Sequence, residues 1–259
     1  MNMIHMEGHC LGGFRSRVEM QKSDRFALYS HHDSQEPVEI GYDIDNIVVE
    51  NHTISVGGQH GIGVVEHLFS TLYGMSLFNV RIDVYGKEIP FFDGSSAYFA
   101  REVQRLNNDH IQGIRLDAPI QVNDPDGSIH YAPLDSDELI VEMSLIHPYI
   151  NVQNLAVKIT PASYIKEIAP ARTFIFTDEH DKRLQDLPPY GIGITRENVY
   201  AKTPLRFPDE PVRHKILDLL GELYVLQRPI FGKITGRNTS HRLNLRFMRK
   251  LVSALRKNE

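Results

Sequence analysis

The chain has 259 residues, of which 41% are hydrophobic and 24% are charged, a composition typical of a globular protein with a substantial core. Its formal net charge of −5 argues against a general nucleic-acid binder, which is usually basic, so we expect no nucleic-acid partner. Cys10 is the single cysteine, which excludes an internal disulfide and a zinc site built on cysteines. Any bound metal must therefore use His, Asp or Glu ligands.

The sequence has no feature that predicts export or membrane insertion. Residues 1–7 lack the basic and apolar segments of a signal peptide. No apolar run approaches the roughly 18 residues that a spanning helix needs. We therefore expect a cytoplasmic monomer without a membrane span, and the sequence leaves open a transient contact with a membrane surface.

The first half of the chain predicts strands, then a helix, a strand and a second helix. In chain order, these are residues 14–56, 64–74, 78–86 and a stretch after residue 96 that runs through Leu106. A polar cluster at 33–37 predicts a turn. The first helix ends at Gly74, which suits a helix C-cap, and residues 93–96 supply cap side chains for the second helix.

The second half of the chain repeats this order after another strand-rich region. A helix, a short strand, a polar cap cluster and a basic helix are predicted, in that order, at residues 211–226, 230–235, 238–240 and about 241–257. The recurrence predicts an α+β fold of two halves of related topology. The boundary would lie near residue 112, which divides the chain into residues 1–112 and 113–259.

One helix face carries a candidate metal site. His214 and Asp218 are four residues apart on the predicted helix 211–226, which places them on the same face. An imidazole and a carboxylate so placed can bind one metal ion, and Lys215 would add a positive charge beside it. The alternative is an ordinary solvated helix face with a His–Asp pair, and this stretch alone does not separate the two.

The leading helix of each half carries a histidine, His67 in the first half and His214 in the second. If the two helix layers face each other, His67, His214 and Asp218 would form a three-ligand set with one position left for water, the usual arrangement of a catalytic zinc ion. Glu66 lies beside His67 and could act as a general base there. The active site would then lie between the helix layers.

Five short motifs occur along the chain in a fixed order. They are VVEHL at 64–68, EIPFFDGS at 88–95, ARTF at 171–174, VRHKILD at 212–218 and SHRLN at 240–244. Together they resemble the zinc-dependent UDP-3-O-acyl-N-acetylglucosamine deacetylases of lipid A biosynthesis, over roughly residues 60–255. The resemblance implies hydrolysis of the N-acetyl group of an acylated UDP-sugar, with release of acetate. It also implies a two-layer sandwich of two topologically similar α+β halves, with the active site between their helix layers.

The resemblance implies a metal centre and a proton-transfer pair. The ligands of the Zn²⁺ ion would be His67, His214 and Asp218. Fe²⁺ is an alternative, because His and Asp ligands suit both ions. Glu66 would be the general base and His241 the acid that protonates the leaving amine, with Glu222 orienting His241 and Lys215 as an electrostatic stabiliser.

The resemblance also implies substrate contacts. Thr173 would donate its hydroxyl to the oxyanion, and Phe174 would form part of the substrate wall. Leu184 and Ile194 would line an apolar passage for the acyl chain, although ordinary core packing explains such residues equally well. Arg237 lies just before His241 and could reach a diphosphate, whereas the other basic residues of the C-terminal region read as a solvated face.

The chain departs from the family pattern at three positions. Gly12 occupies the place of an early family histidine, and Glu222 replaces the aspartate that usually pairs with the catalytic histidine. A family lysine before the ARTF motif has no equivalent near residues 129–134. These departures leave two alternatives: a metal-dependent deacetylase of another N-acetylated sugar nucleotide, or an inactive relative that binds sugar nucleotides.

Overall fold

The structure, a computed structural model, describes residues 3–32, 36–50, 53–107, 109–187 and 190–258. Residues 33–35, where most of the predicted turn at 33–37 falls, lie outside the described residues. Two five-stranded sheets form the outer layers, and the principal helices lie between them.

The first half forms one large sheet, one small sheet and two helices. In chain order it contains β1 (Ile4–His9), β2 (Arg15–Lys22), β3 (Ala27–Ser30), β4 (Val38–Glu39), β5 (Ile47–Glu50), β6 (Thr53–Val56), a 3₁₀ turn (Gly58–His60), β7 (Ile62–Gly63), α1 (Glu66–Gly74), β8 (Val80–Tyr85) and α2 (Ala97–Val103). The large sheet has the order β1-β2-β8-β3-β4, in which β8 and β3 are parallel and the other neighbours antiparallel. Strands β5, β6 and β7 form the small antiparallel sheet that precedes α1.

The second half has the same plan with a larger insertion. In chain order it contains β9 (Ile120–Asn123), β10 (Ser128–Ala132), β11 (Leu139–His147), β12 (Ile150–Lys158), α3 (Pro161–Ser163), a π turn (Tyr164–Ile168), β13 (Phe174–Phe176), α4 (Arg183–Asp186), β14 (Ile192–Ile194), β15 (Val199–Tyr200), α5 (Glu210–Leu223), a 3₁₀ turn (Tyr224–Leu226), β16 (Gly232–Arg237) and α6 (His241–Asn258). Its large sheet has the order β9-β10-β16-β11-β12, again with one parallel pair, β16 and β11. Strands β13, β14 and β15 form a small sheet before α5.

The two large sheets are topologically equivalent, strand for strand. Strands β9, β10, β11, β12 and β16 take the places of β1, β2, β3, β4 and β8, and the helix–strand–helix unit follows in both halves. The expected α+β fold of two similar halves is therefore confirmed. Residue 112 falls between α2 and β9, and the division into residues 1–112 and 113–259 stays a prediction.

The position of the core explains why buried and exposed side chains alternate along a strand, whereas every residue of α1 is buried. On β8, Val80, Ile82 and Val84 are fully buried while Arg81 and Tyr85 remain partly exposed, as expected for a sheet with one face on the core. Every residue of α1 is buried, because this helix packs against α5, α2 and the turns at Tyr164–Ile168 and Tyr224–Leu226.

Aromatic rings fill the space where the halves meet. Tyr224 follows α5 and stacks on Phe69 of α1 with ring centroids 5.3 Å apart, and it stacks on Phe78 at 5.7 Å. Tyr42 closes the cluster from the first half, 4.5 Å from Phe69. Fully burying one such side chain contributes on the order of 1.5–3 kcal/mol, so this cluster holds α1 and α5 at a fixed separation.

The predicted C-cap role of Gly74 is wrong. Gly74 is the last residue of α1, and the positive φ of 53° belongs to Ser76 two residues later. A Cβ on Gly74 would lie 2.2 Å from Cδ2 of Tyr164, so glycine is required here by close packing and not by backbone conformation. The predicted element order is otherwise confirmed, and α1, β16 and α6 begin and end within about two residues of expectation. Helix α5 ends at Leu223, three residues before the predicted end, and a 3₁₀ turn follows it. Among the described residues, no helix is both long and apolar enough to cross a membrane.

Candidate active site

The N-terminus of α1 carries Glu66 and His67 into the interface between the halves. Val64 has a φ of 59°, a left-handed conformation that is uncommon for a β-branched residue and turns the chain from β7 into α1. Both Glu66 and His67 are buried, with 3% of their surface exposed. Ser96, just before α2, donates its hydroxyl hydrogen bond to the His67 carbonyl oxygen at 2.9 Å and anchors this turn.

Helix α5 supplies His214 and Asp218 from the second half. Their spacing places Nε2 of His214 3.3 Å from Oδ1 of Asp218, with both side chains almost fully buried. Nδ1 of His214 lies 3.0 Å from the carbonyl oxygen of Ala171. A carbonyl oxygen only accepts hydrogen bonds, so Nδ1 carries the proton and Nε2 presents its lone pair to the interface.

A glycine allows α1 and α5 to approach closely. A Cβ on Gly221 would lie only 2.4 Å from the carbonyl oxygen of Glu66. Real Cβ atoms essentially never come within 3.0 Å of another heavy atom, so any other residue at this position would push the helices apart. The absence of a side chain on Gly221 therefore brings the two halves of the site together.

Three side chains from the two helices converge. One potential ligand atom from each of His67, His214 and Asp218 lies within 4.8 Å of the other two, and all three residues are buried. The His67 and His214 rings are nearly perpendicular, with centroids 5.2 Å apart. The solvated helix face that the sequence left open as an alternative is wrong, because His214 and Asp218 each have 3% of their surface exposed.

The protonation preferences of these three residues suit a cation. Burial and the neighbouring His214 lower the pKa of His67 to about 3, which keeps its imidazole neutral. Burial alone would raise the pKa of Asp218, but Lys215 and His214 hold it well below its ordinary value. Nδ1 of His67 is buried without a hydrogen-bond partner among the described residues. Two neutral imidazoles, a carboxylate and an unpaired ring nitrogen fit a divalent metal ion.

Glu66 is a buried carboxyl group with a raised pKa. Its Oε2 accepts a hydrogen bond from the backbone N–H of Ile54, on β6 of the small sheet, at 3.2 Å. Burial raises the pKa of Glu66 to about 7, against the opposing attraction of His241. Such a carboxyl group can accept a proton near neutral pH.

Helices α5 and α6 contribute a hydrogen-bonded pair, Glu222 and His241. Nδ1 of His241 lies 2.7 Å from Oε1 of Glu222, and Asn244 donates to Oε2 of Glu222 at 2.5 Å. Burial alone would lower the pKa of His241, but Asp218 and Glu222 raise it to about 9. Glutamate in place of the expected family aspartate thus still reaches His241.

Lys215 and Phe174 lie beside the metal-ligand candidates. Nζ of Lys215 lies 3.1 Å from Oδ2 of Asp218 and 5.4 Å from the centre of the Phe174 ring. The Phe174 ring itself lies 6.2 Å from the ring of His214. A cation and an aromatic wall therefore adjoin the three converging side chains.

Thr173 is fixed by backbone hydrogen bonds on both sides. Its N–H donates to the carbonyl oxygen of Gly94 at 2.7 Å, and its carbonyl oxygen accepts from the N–H of Ile192 at 2.9 Å. Gly94 belongs to the first half, so Thr173 is positioned by both halves. The hydroxyl group of Thr173 is therefore carried on a rigid backbone next to Phe174.

The three remaining candidates are Leu184, Ile194 and Arg237. Leu184 of α4 is buried, and its Cδ2 would lie 2.3 Å from a Cβ on Gly193, while Ile194 of β14 is 2% exposed. Both residues lie in the insertion between β12 and α5, outside the main hydrophobic cluster, and an acyl passage here stays a prediction. Arg237 is exposed at the end of β16, and its contact with a diphosphate also stays a prediction.

Several residues around the centre received no role from the sequence. The ring of Phe91 stacks on His67 with centroids 5.1 Å apart. Ala171 and Asn244 lie in recognised motifs, but only their contacts with His214 and Glu222 give them a function. An acidic residue and a proline in the first turn could have marked the start of α5 at Glu210.

Gly12, which stands where the family has a histidine, is held by contacts with Glu88 and Phe14. Its N–H donates to Oε2 of Glu88 at 3.0 Å, and a Cβ on Gly12 would lie 2.6 Å from Cε1 of Phe14. Glu88 opens the motif at 88–95, which continues to Phe91 against His67. The loop between β1 and β2 therefore contacts the motif that flanks the site, without a histidine.

Comparison with known proteins agrees with the family resemblance that the five motifs carry. A sequence model of the UDP-3-O-acyl N-acetylglycosamine deacetylase family matches residues 13–253. A Coxiella burnetii protein named UDP-3-O-acyl-N-acetylglucosamine deacetylase is 31% identical over 211 residues, which cover 76% of this chain and 69% of that protein. Proteins of the same name from Methylococcus capsulatus and Legionella pneumophila (strain Corby) are 32% and 34% identical, covering 86% and 75% of this chain and 77% and 68% of their own lengths. With the family match extending over most of its length, the chain belongs to the UDP-3-O-acyl N-acetylglycosamine deacetylase family.

Proposed function

We propose that this protein hydrolyses the N-acetyl group of UDP-3-O-acyl-N-acetylglucosamine, releasing acetate, as a step of lipid A biosynthesis. The observation that carries the proposal is the convergence of His67, His214 and Asp218 beside a buried carboxyl base, Glu66. The names of the relatives support the same reaction and substrate. The substrate is a small acylated UDP-sugar, and the reaction is an amide hydrolysis.

His67, His214 and Asp218 would hold the metal ion, with the Ala171 carbonyl fixing the His214 tautomer. When bound, a divalent ion supplies Lewis-acid polarisation and lowers the pKa of water. Zn²⁺ is the ion we propose, and Fe²⁺ suits the same nitrogen and oxygen ligands. Metal analysis of protein purified with and without oxygen, combined with activity after reconstitution, distinguishes the two ions.

Glu66 is the proposed proton acceptor. A carboxyl group with a pKa of about 7 is substantially ionised at neutral pH and still basic enough to take a proton from the attacking water. The hydrogen bond from Ile54 occupies Oε2, so Oε1 is the oxygen that we assign to proton transfer. Burial of the carboxyl group excludes bulk water from this step.

His241 is the proposed proton donor to the leaving amine. The amine of an amide leaves only after protonation, so an acid must stand opposite the base. Glu222 holds Nδ1 of His241, which assigns Nε2 to the substrate. With a pKa raised to about 9, His241 is protonated at neutral pH and can act as that acid.

Thr173, Lys215 and Phe174 are the proposed substrate contacts nearest the reaction. The Thr173 hydroxyl would donate to the oxyanion of the tetrahedral intermediate, and Lys215 would add a positive charge. Phe174 would form a wall of the sugar site. Arg237 would bind the diphosphate, and Leu184 and Ile194 would contact the acyl chain, each as a prediction that substitution can test.

The direct test is acetate release from the acylated substrate, measured for the wild type and for Glu66→Gln at equal zinc occupancy. The expected result is activity in the wild type and a loss of about 10²- to 10⁴-fold in the variant, the range for removal of a general base. Glu102→Gln is the matched control, because Glu102 is a largely buried glutamate on α2 that pairs with Arg101 and Arg105. A zinc-loaded wild type that releases no acetate contradicts the proposal.

A second candidate activity is deacetylation of another N-acetylated sugar nucleotide. The observation that favours it is the altered loop at Gly12, where the expected family histidine is absent and the backbone N–H donates to Glu88. Comparing kcat/KM for acylated and unacylated UDP-N-acetylglucosamine separates the two substrates. A preference for the unacylated compound favours this candidate, and zinc and sugar-nucleotide binding without turnover of either favours an inactive binding relative.

A further inference from the structure

A single peptide group links the start of α5 to a proposed metal ligand. The carbonyl oxygen of Ala171 faces Nδ1 of His214 at 3.0 Å. The N–H of Arg172, on the other side of the same peptide bond, donates to Oε1 of Glu210 at 3.0 Å. The peptide unit is planar and rigid, so fixing its N–H also fixes the direction of its carbonyl group.

Both partners of this peptide group lie on the same face of α5. Glu210 and His214 are four residues apart, and side chains at this spacing stand one above the other on a helix. Helix α5 therefore holds the 171–172 peptide at both ends, once through a carboxylate and once through the imidazole. Rotation of the peptide plane would break both hydrogen bonds.

The Arg172 side chain completes the arrangement. Its guanidinium group forms a forked pair with Glu210, with Nε–Oε1 at 2.8 Å and Nη2–Oε2 at 3.1 Å. Both residues are almost fully buried, with side-chain exposures of 3% and 0%. Arg172 also donates to the carbonyl oxygens of Thr203 and Pro204. A buried pair with its donors satisfied in this way has one geometry.

The next residue along the chain is Thr173, the proposed oxyanion donor. Its N–H and its carbonyl oxygen are hydrogen-bonded to Gly94 and Ile192. A rotation of the preceding peptide group would therefore strain these two hydrogen bonds. One carboxylate therefore acts on two functional groups. The Glu210 carboxylate sets the His214 tautomer through the Ala171 carbonyl group. It also sets the position of the backbone that leads into Thr173, through the N–H of Arg172.

We propose that Glu210 and Arg172 are a positioning pair that fixes the His214 tautomer and the Thr173 hydroxyl relative to each other. Neither residue would touch the substrate. The inference rests on the proposed metal site. It assigns part of the zinc affinity of that site to two residues that are not metal ligands. Hydrogen-bond partners of metal ligands are known to have such effects.

The test compares Glu210→Gln with Asp209→Asn. Asp209 is the neighbouring residue, and its carboxylate pairs with Arg213 at 2.7 Å, without contact to the 171–173 segment. Zinc affinity is measured by competition with a chromogenic chelator, and the His214 tautomer is measured in metal-free protein by long-range ¹H–¹⁵N spectra. Neither readout depends on catalytic activity.

The expected result is a zinc dissociation constant about 10- to 100-fold higher for Glu210→Gln, the usual effect of losing a partner of a metal ligand. We also expect a mixture of His214 tautomers in this variant, whereas Asp209→Asn should keep wild-type zinc affinity and the Nδ1–H tautomer. Folded Glu210→Gln protein with unchanged zinc affinity and one tautomer overturns the inference. A wild type that binds no zinc instead overturns the proposed metal site, and the tautomer comparison still tests the positioning pair.

Glu210→Gln leaves the Arg172 charge buried and unpaired, which destabilises the fold, so a second variant is needed. The double variant Arg172→Met with Glu210→Leu removes both charges together, and such replacements often preserve folding. We expect the folded double variant to show weakened zinc binding and mixed tautomers. Zinc binding equal to that of the wild type in the double variant overturns the inference.

Discussion

Nδ1 of His241 lies 2.7 Å from Oε1 of Glu222, and only 1% of the Glu222 side chain is exposed. Asn244 donates to the other carboxylate oxygen, so both oxygens of Glu222 are engaged. His241 belongs to α6 and Glu222 to α5, while Glu66 belongs to α1. The site therefore has a basic carboxylate and an acidic imidazole on separate elements, which is the requirement for a reaction that takes up one proton and delivers another.

The first prediction is a bell-shaped dependence of kcat/KM on pH. Glu66 works as a base only when ionised, so activity falls as the pH drops through its pKa of about 7. His241 works as an acid only when protonated, so activity falls as the pH rises through its pKa of about 9. A bound cation attracts the carboxylate and lowers the Glu66 pKa, which places the acidic limb at or below that value.

The profile is measured with saturating zinc between about pH 5.5 and 10.5, which extends about 1.5 units beyond each of the two pKa values. Glu66→Gln should lack the acidic limb in its residual activity, because its amide does not titrate. An activity that stays constant up to pH 10.5 contradicts the role of His241.

The second prediction concerns the charge of Glu222. In Glu222→Gln the carboxylate that helps raise the His241 pKa is lost, so this pKa falls and the basic limb moves to lower pH. Activity at neutral pH should drop about 10- to 100-fold, because a weaker hydrogen bond orients the imidazole less firmly. Glu222→Asp keeps the charge and should retain more of the basic limb than Glu222→Gln.

Glu138→Gln is the control for Glu222→Gln, because Glu138 pairs with Lys158 at the surface. It should leave the profile unchanged. An unshifted basic limb in Glu222→Gln means that Glu222 does not set the protonation of His241.

The third prediction distinguishes the contribution of the Thr173 hydroxyl group from that of side-chain packing. Thr173→Val preserves shape and removes the oxyanion donor, so kcat should fall about 10²- to 10³-fold with little change in KM. Thr173→Ser restores a hydroxyl and should recover most of the activity. Steady-state kinetics of the three proteins measure this, and equal losses in the Val and Ser variants would assign the effect to packing.

The fourth prediction uses Gly221 and Gly74 as a matched pair. Gly221→Ala places a methyl group against the Glu66 carbonyl oxygen, and Gly74→Ala places one against the Tyr164 ring. Each substitution should cost about 1–3 kcal/mol of unfolding free energy by overpacking. Gly221→Ala should in addition weaken zinc binding, because it separates α5 from α1 and so Asp218 from His67.

Urea denaturation measures the stability loss, and chelator competition measures zinc affinity in the same two variants. Gly74→Ala lies at the far end of α1 and should keep zinc affinity close to that of the wild type. Equal zinc affinity in both variants would show that the close approach at Gly221 does not control the metal site.

The sequence determined the elements and the local pairings of this protein. The recurrence of helix, strand and helix in each half followed from the spacing of apolar residues, because a helix or strand shows its period along its own segment. The His214–Asp218 pair was predictable for the same reason, since helical geometry alone puts residues four apart on one face. The resemblance added the expected roles of Glu66, Thr173 and His241.

Only the tertiary structure decided which distant residues meet. Whether His67 reaches His214 depends on the separation of α1 and α5, which the missing side chain of Gly221 permits. The sequence assigned Gly74 to a helix cap, because the ring of Tyr164 that requires it lies far along the chain. Arg172 and Glu210 are 38 residues apart, and no periodic pattern relates them. Contacts of this kind are set by how separate elements pack, and the sequence of one element carries no record of the partner it will meet.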